Sequence, residues 1–579
     1  MSVYREKRFH LWAVLFLLGL LIVWKPWYGL APAVRGLPLA ADTGGGRGII
    51  LEYEASIVEF QARNRDPEVA WESIKKLLDP YWGANLIEVR KEDNVVLFEV
   101  GGRLTSSYLR ALLGAFGEVK SVRVGAVSLD EELVESLKKR LDPYGLGGAR
   151  IRSGNGMVLV ETTHRFEEVD DLLTKQGRLE LFIGEQRIVG PEDILAVGKA
   201  SESRGLGFFP VYFTEDGERE FNLGVRGRAG ERLVAYVDRP FDAVILFENT
   251  LLQLVQNLQY DSERNLFRDL ETQVPVMVVA FPTGKDRLSQ EAVDYLSTHT
   301  GEKMRVIILG TPDEFSAEFL EAIPSPYTYE FLEAGVDEDA DSWILRACGL
   351  LSSFPVSEEL AERGLTAGSG INVPILGGFR AAKLYQKIVG EPLPVRISEA
   401  TDVGLQSRAP ANYVGWMSFG SVLALLVASA SAGRLYRRDD FGLALLLAGG
   451  SVYIFVLGVS SLLGLAVTAD VMLLLSGLFL VYLIHLIGTT RELLAGAGPG
   501  GKIKIGWKVS QIMGMLYLGA VGMGTFLMTL CLAGVELAIG TTAVFLISIV
   551  LNLFLVVPVY GRMLETLLVK EIRKEEGQV

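Results

Sequence analysis

Cysteine is nearly absent from this chain of 579 residues: it has two, Cys348 and Cys531, the second in an apolar run, which excludes a disulfide framework. Histidine is scarce as well. His10, His164, His299 and His485 stand far apart and accompany neither an HExxH sequence nor a cysteine pair, so no metal centre is predicted. No G-x-S-x-G elbow marks a hydrolase nucleophile. Positive charge is in deficit, with 56 Lys+Arg against 70 Asp+Glu and a net charge of −14. Such a balance repels phosphates and argues against a nucleic-acid partner. Two glycine-containing stretches fail as nucleotide cradles. Gly44–Gly48 leads into a strand, whereas a phosphate site needs a helix N-terminus behind it. Pro282–Asp286 carries Gly284-Lys285, but Val279 stands where a P-loop has its first glycine and Asp286 replaces the Ser/Thr. The chain reads as a non-enzyme with no cofactor.

What is abundant is apolar sequence, 49% of residues, with 22% charged. The two together require apolar segments set against a large water-facing body. Residues 1–33 and 413–579 carry 15 Lys+Arg and 10 Asp+Glu, leaving 41 and 60 for the acidic middle. Six transmembrane helices are predicted, over residues 9–28, 413–432, 441–463, 468–488, 509–535 and 537–560. The first is read as an anchor. Its alternative is a cleaved signal peptide, because the run is short and Ala31-Pro32-Ala33 resembles a cleavage site.

Loop charges set the orientation. Arg434, Arg437 and Arg438 follow the second span, Arg491, Lys502, Lys504 and Lys508 the fourth, and Arg562, Lys570, Arg573 and Lys574 the sixth, while the alternate connections have no Lys or Arg. The positive-inside rule then places residues 1–8 and the tail 561–579 in the cytoplasm and residues 29–412 outside.

The outer region contains a repeat. Asp79-Pro80-Tyr81 and Asp142-Pro143-Tyr144 each end an amphipathic helix and precede two short β-rich runs across a turn. With helices predicted near 69–78, 106–115, 131–141 and 166–173, the cadence is β-α-β-β-α-β, suggesting ferredoxin-like α+β units over a base at 29–185. Residues 186–412 form the head and the return to the membrane. Within them strand, helix and strand at 274–281, 290–297 and 304–309 suggest an inserted α/β unit, and 333–341 and 366–370 read as polar loops.

Ionisable and amide groups inside the membrane need a role to justify their cost. His485 lies about a turn from the cytoplasmic end of the fourth span and Asn552 lies mid-span in the sixth, making them the proton-relay candidates. A histidine hydrogen-bonded to a neighbouring helix is the simpler alternative.

The layout resembles that of the SecD family of protein-export membrane proteins in its archaeal form, half of an RND-type transporter. Arg140-Leu141-Asp142-Pro143-Tyr144-Gly145-Leu146 resembles the family's RLNxxG block, and Gln176-Gly177-Arg178-Leu179-Glu180 its QGxFE segment. Leu393-Pro394-Val395 matches the approach to the second span, and Ala538–Thr542 through Pro558–Arg562 matches the final helix and its exit. Two departures stand out. Gly36–Leu39 and Asp42–Gly46 echo the early GxDLxGG strand only in part, and His485 falls at or beside the aspartate of the family's intramembrane GVDDQI motif.

The resemblance implies a SecF partner, a SecY-type channel, unfolded preprotein as substrate, membrane lipid around the spans, and coupling to an ion gradient across the cytoplasmic membrane. Two other functions stay open, an RND-like exporter subunit for a lipid or small amphiphile and a non-coupled scaffold of the translocon.

Overall fold

The computed structural model describes residues 7–24, 47–404, 413–496 and 537–576, apart from short internal stretches such as 144–148 and 270–277. The span predicted at 509–535 lies outside the described residues. At the membrane end are α1 (Lys7–Trp24) and, late in the chain, α12 (Tyr413–Leu435), α13 (Asp439–Leu462), α14 (Ala469–Gly496), α15 (Leu537–Leu551) and α16 (Val557–Glu576). Four of the described helices are long and apolar enough to cross a membrane, and α1 is a shorter apolar helix. The protein is therefore a multi-pass membrane protein with a large domain outside the bilayer.

The helices pack through small residues and hydroxyls, because lipid offers no hydrophobic drive for helix to join helix. Central α13 meets α1 where a Cβ on Gly458 would lie 3.0 Å from the Gly19 Cα, and Trp12 Nε1 donates to Ser451 Oγ at 2.9 Å. It meets α12 where a Cβ on Gly442 would lie 2.5 Å from the Ser429 carbonyl oxygen. Between α15 and α16 the chain makes a π turn, Asn552–Val556. Pro558 accounts for it: a proline has no N–H and its ring crowds the carbonyl four residues back, so the turn before it widens.

The base is two β-α-β-β-α-β units, one nested in the other. The inner unit runs β2 (Ser56–Ala62), α2 (Pro67–Trp82), β3 (Leu86–Glu92), β4 (Val95–Val100), α3 (Ser106–Leu113) and β5 (Gly117–Val124), in sheet order β3-β4-β2-β5. The outer unit starts with β1 (Arg47–Tyr53), resumes at α4 (Ser128–Leu141), β6 (Arg150–Gly154), β7 (Met157–Thr162) and α5 (Phe166–Thr174), and closes with β22 (Ile397–Gly404), in sheet order β22-β1-β7-β6. The two orders are the same when each strand is ranked within its unit. Both first strands lie on one stretch of chain, 47–62, interrupted only at Glu54-Ala55.

Alternation fixes these sheets. Strand β2 buries every second residue, Val58 and Phe60 among them, and α4 buries Leu129, Leu133 and Leu137 at a four-residue spacing. The repeat is visible in its helices with one difference. Helix α4 stops at Leu141, before Asp142-Pro143, whereas α2 carries Pro80 in its last turn and ends at Trp82. A proline that late removes a single helical hydrogen bond.

The chain leaves the base at residues 176–178, earlier than the expected 185, because β8 (Leu179–Ile183) is buried along its whole length and belongs to the head. The head packs two sheets. One has the order β20-β13-β8-β9, built from β9 (Gln186–Val189), β13 (Arg232–Val237) and β20 (Leu350–Pro355) with β8. The other sets β12 (Leu206–Phe213) against β10 (Ile194–Val197), β11 (Ser201–Ser203) and β21 (Ile371–Ile375). Their shared core includes Leu181, Phe209, Val211, Leu233 and Val373, with Phe221 from α6 (Glu215–Val225) and Ala361 from α10 (Glu358–Arg363). Helix α11 (Gly378–Gly390) serves two cores, since Ala382 and Val389 face the head while Leu384 and Ile388 face the base.

Between β13 and β20 sits an α/β insert. Its parallel sheet has the order β17-β14-β18-β19, from β14 (Ala243–Glu248), β17 (Ala280–Thr283), β18 (Arg305–Leu309) and β19 (Thr328–Leu332). Hairpin β15 (Leu258–Asp261) and β16 (Leu266–Asp269), helices α7 (Gln290–Thr298) and α8 (Ala317–Glu321), and helix α9 (Ala340–Ala347) complete it. Its central strands β14 and β18 read as apolar runs because both faces are covered.

At one end of that sheet Arg305 forks onto Asp242, Nε and Nη2 each 2.7 Å from a carboxylate oxygen, and its Nη1 lies 2.7 Å from Glu330, which also binds Arg396 at 2.6 Å. Burial alone would raise the Asp242 carboxyl. The charge and hydrogen bonds of Arg305 outweigh it and hold Asp242 well below the usual carboxylate range. A carboxyl lowered on folding stabilises above its unfolded value and loses that contribution as pH falls toward the folded one. Stability of the insert is thus expected to drop below about pH 4. Asp242→Asn should cost about 2 kcal/mol at neutral pH and flatten that acid limb, read as amide exchange along β18.

Candidate functional site

Two regions hold chemistry that packing alone does not explain. The first is polar and lies among the membrane helices. His485 on α14 is 6% exposed, and its Nε2 has no hydrogen-bond partner among the described residues. Asn552 opens the π turn, is 2% exposed, and its Oδ1 is likewise without a partner among the described residues. Both sequence-predicted residues are therefore buried, and these two atoms are not bonded to each other.

Their surroundings were not foreseen. Tyr482 OH pairs with Ser548 Oγ at 2.6 Å, and Thr490 Oγ1 with Tyr560 OH at 2.5 Å. The register shows that α14 runs parallel to the chain from α15 into α16. His485 lies between Tyr482 and Thr490, and Asn552 between Ser548 and Tyr560, so the same two interhelical bonds bracket them both. Farther along, Ser418 meets Tyr453 OH at 3.1 Å and Ser421 donates to Ser476 at 3.4 Å. The missed signal is hydroxyls inside apolar runs, Tyr482 and Thr490 on α14 and Ser548 and Tyr560 along α15 and α16. An imidazole can take up a proton, and a buried amide with open hydrogen-bonding capacity can hold a water molecule.

The second region is on the head. Along β12 the residues Gly207, Phe209, Val211 and Phe213 point into the core, and Leu206, Phe208, Pro210 and Tyr212 form the opposite face. Leu206 is exposed and the other three are half-buried. Register sets Pro374 of β21 beside Phe208 and Ala196 of β10 beside Tyr212, and exposed Leu195 sits at the register shift in β10. The result is an apolar stripe on a sheet face, the kind of surface an extended chain can lie along. Elsewhere on the head, α6 and α10 border an open groove of about 660 Å³ lined by Glu215, Glu218, Arg219, Arg226, Glu362 and Arg363 among others.

Lys285, at the end of β17, lies 3.2 Å from Glu248 and 3.9 Å from Glu314, and α7 begins only at Gln290 with Ser289 as its cap. His299 stacks on Tyr295 with ring centres 3.9 Å apart. Among the described residues no group of three or more His, Cys, Asp or Glu side chains is placed to hold a metal ion.

No protein-family model matches the chain. Over 104 residues it is 32% identical to the protein-export membrane protein SecD of Methanothermobacter thermautotrophicus, a stretch that makes up 18% of this chain and 26% of that one. The chain is similar to SecD. The resemblance read from Arg140–Leu146 and its companion motifs is borne out by this match. The SecDF crystal structure in its super-membrane-facing form is 14% identical, with 97% of this chain and 57% of that one covered at a TM-score of 0.39. The SecDF of Thermus thermophilus, described as a translocon-associated membrane protein, is 14% identical with 97% and 59% covered at a TM-score of 0.26. The chain thus spans well under two thirds of these relatives.

Proposed function

We propose that the chain is a SecD-like accessory of the protein-export machinery, helping unfolded preproteins across the cytoplasmic membrane beside a SecY-type channel and with a SecF partner. The observation that carries this reading is the sequence similarity to SecD. In it the protein has six spans, both termini inside and residues 29–412 outside, with a base of two ferredoxin-like units. The nested β-α-β-β-α-β sheets support those units. The role is mechanical: it captures an emerging chain and keeps it from sliding back. The apolar stripe of β12 supports capture of extended polypeptide. His485 and Asn552 are the proposed proton-handling pair, and the carboxylate that would complete a relay comes from SecF.

Depletion of the protein tests the reading, with precursors of exported proteins expected to accumulate and the channel to co-purify. Re-supply of His485→Ala should restore export only in part, about tenfold below wild type and without response to external pH. Depletion without precursor accumulation overturns the export role. Full, still pH-responsive export by His485→Ala overturns the coupling role and leaves a scaffold.

A further inference from the structure

The α/β insert is a module with cores of its own. Its sheet is packed on both faces by residues between Ala243 and Cys348, and neither of these cores, among the described residues, includes a side chain of the base or of the two head sheets. The chain joins it to the head at residues 238–242 and 348–349, between β13 and β20. A module that shares no apolar core with its neighbours is positioned by such crossings and by its polar contacts.

One of those contacts reaches the base. Arg396 immediately precedes β22, and its neighbours Val395 and Ile397 are buried in the core of the outer base unit. Alternation along an extended chain turns Arg396 away from that core. Its Nη2 donates to Glu330 Oε2, on β19 of the insert, at 2.6 Å. Arg305 has already oriented that carboxylate, because two of its nitrogens hold Asp242 and the third holds Glu330 Oε1. Four charges of alternating sign thus run from the root of the insert to the base, Asp242, Arg305, Glu330 and Arg396. The last link is the weak one. The Arg305 and Asp242 side chains are 14% and 15% exposed, whereas those of Arg396 and Glu330 are 32% and 41% exposed, so water and salt screen the outer pair more. Burial pushes the Arg396 guanidinium down, the like charge of Arg305 adds to this, and Glu330 and Asp242 offset it only in part. A shift of about 1 Å would take the contact beyond hydrogen-bond range.

We propose that Glu330 and Arg396 form a releasable latch, which docks the α/β insert on the root of the base and lets it part from the base when the pair opens. Strand β22 is the one by which the large domain returns toward α12, so a displacement along it acts on the latch directly. The latch goes beyond the export reading and does not depend on it, because it concerns how the insert is held whatever the domain carries.

The test uses the full chain in nanodiscs, with Cys348→Ala and Cys531→Ala removing the native thiols. Spin labels enter through Glu135→Cys on α4 of the base and Glu291→Cys on α7 of the insert. Two distances are expected with the latch intact, a docked one that dominates at low salt and a longer one whose share relative to it rises about fivefold at about 1 M KCl. Arg396→Glu, which sets like charges together, should favour the longer distance at least about tenfold at low salt and reverse the salt response, since salt then screens a repulsion. Arg396→Lys should stay docked at low salt, because a single contact needs the charge and not the fork. Amide protection along β1 and β18 should be unchanged in every variant, which separates release from unfolding. A single distance at both salt concentrations with the latch intact overturns the proposal, and that measurement needs neither substitution of Arg396. So does a distribution in Arg396→Glu that matches the intact latch, or an Arg396→Lys chain that behaves as Arg396→Glu does.

Discussion

Gly177→Ala is expected to destabilise the large domain by roughly 3 kcal/mol or more, enough to expose the base–head crossing to protease. Gly177 has φ of +91°, where an alanine is strained by about 1–2 kcal/mol before it touches anything. It would then touch a great deal. Its Cβ would lie 2.1 Å from the Ile388 carbonyl oxygen and 2.9 Å from Arg140 Nη2. Neither can give way, since the carbonyl lies in the last turn of α11 and the Arg140 guanidinium donates to the main-chain carbonyls of Leu172, Lys175, Gln176, Ile388 and Glu391. Gly184→Ala is the control, because its φ is also positive, at +58°, but open space surrounds its Cβ. It should cost only about 1 kcal/mol. Limited proteolysis and amide exchange at residues 176–181 separate the two. Equal behaviour would mean that the close approach at Gly177 carries no weight.

The same residues mark how far the sequence could be read. The Asp-Pro repeat showed two copies of a helix and two strands because turns, prolines and alternating apolar residues are local signals. It could not show that β22, more than two hundred residues after β7, closes the sheet that β1 opens. Pairing over that distance leaves no local trace in β22, whose sequence ISEATDVG is half polar. The SecD-like blocks at Arg140–Leu146 and Gln176–Glu180 were legible as two motifs, while their contact was not. Periodicity counts an arginine as a solvent-facing residue, and nothing local says that Arg140 lies on the buried stripe of α4 beside Leu137 and Leu141. In the membrane, His485 and Asn552 were found because they are out of place in apolar runs. The hydroxyls that bracket them were missed because Ser, Thr and Tyr are common in such helices.

Asp341 shows the same failure with a larger consequence. It belongs to the acidic stretch 333–341, expected as a polar loop on account of its charge, yet it is 7% exposed. Asp339 caps α9 by accepting the Ser342 N–H at 2.7 Å, which turns the next carboxylate inward. There Asp341 accepts the main-chain N–H groups of Gln256, Asn257 and Leu258, each at 3.1 Å, and the Asn257 side-chain amide at 3.2 Å. One carboxylate thus fixes the turn that leads into hairpin β15–β16, whose Phe267 packs on Phe247 of β14. Asp341→Ala would strand three N–H groups at the edge of a core, an expected loss of about 3–5 kcal/mol from the α/β insert. Asp341→Asn should lose nearly as much, because its NH2 would face donors and its single oxygen cannot serve them all. The loss should appear as amide exchange rising through 256–269 and along α9, with the base sheet of β1, β7 and β22 still protected. If exchange at 256–258 stays at the wild-type rate in Asp341→Ala, the carboxylate does not hold that turn, and the acidic stretch is the solvated loop that its composition suggests.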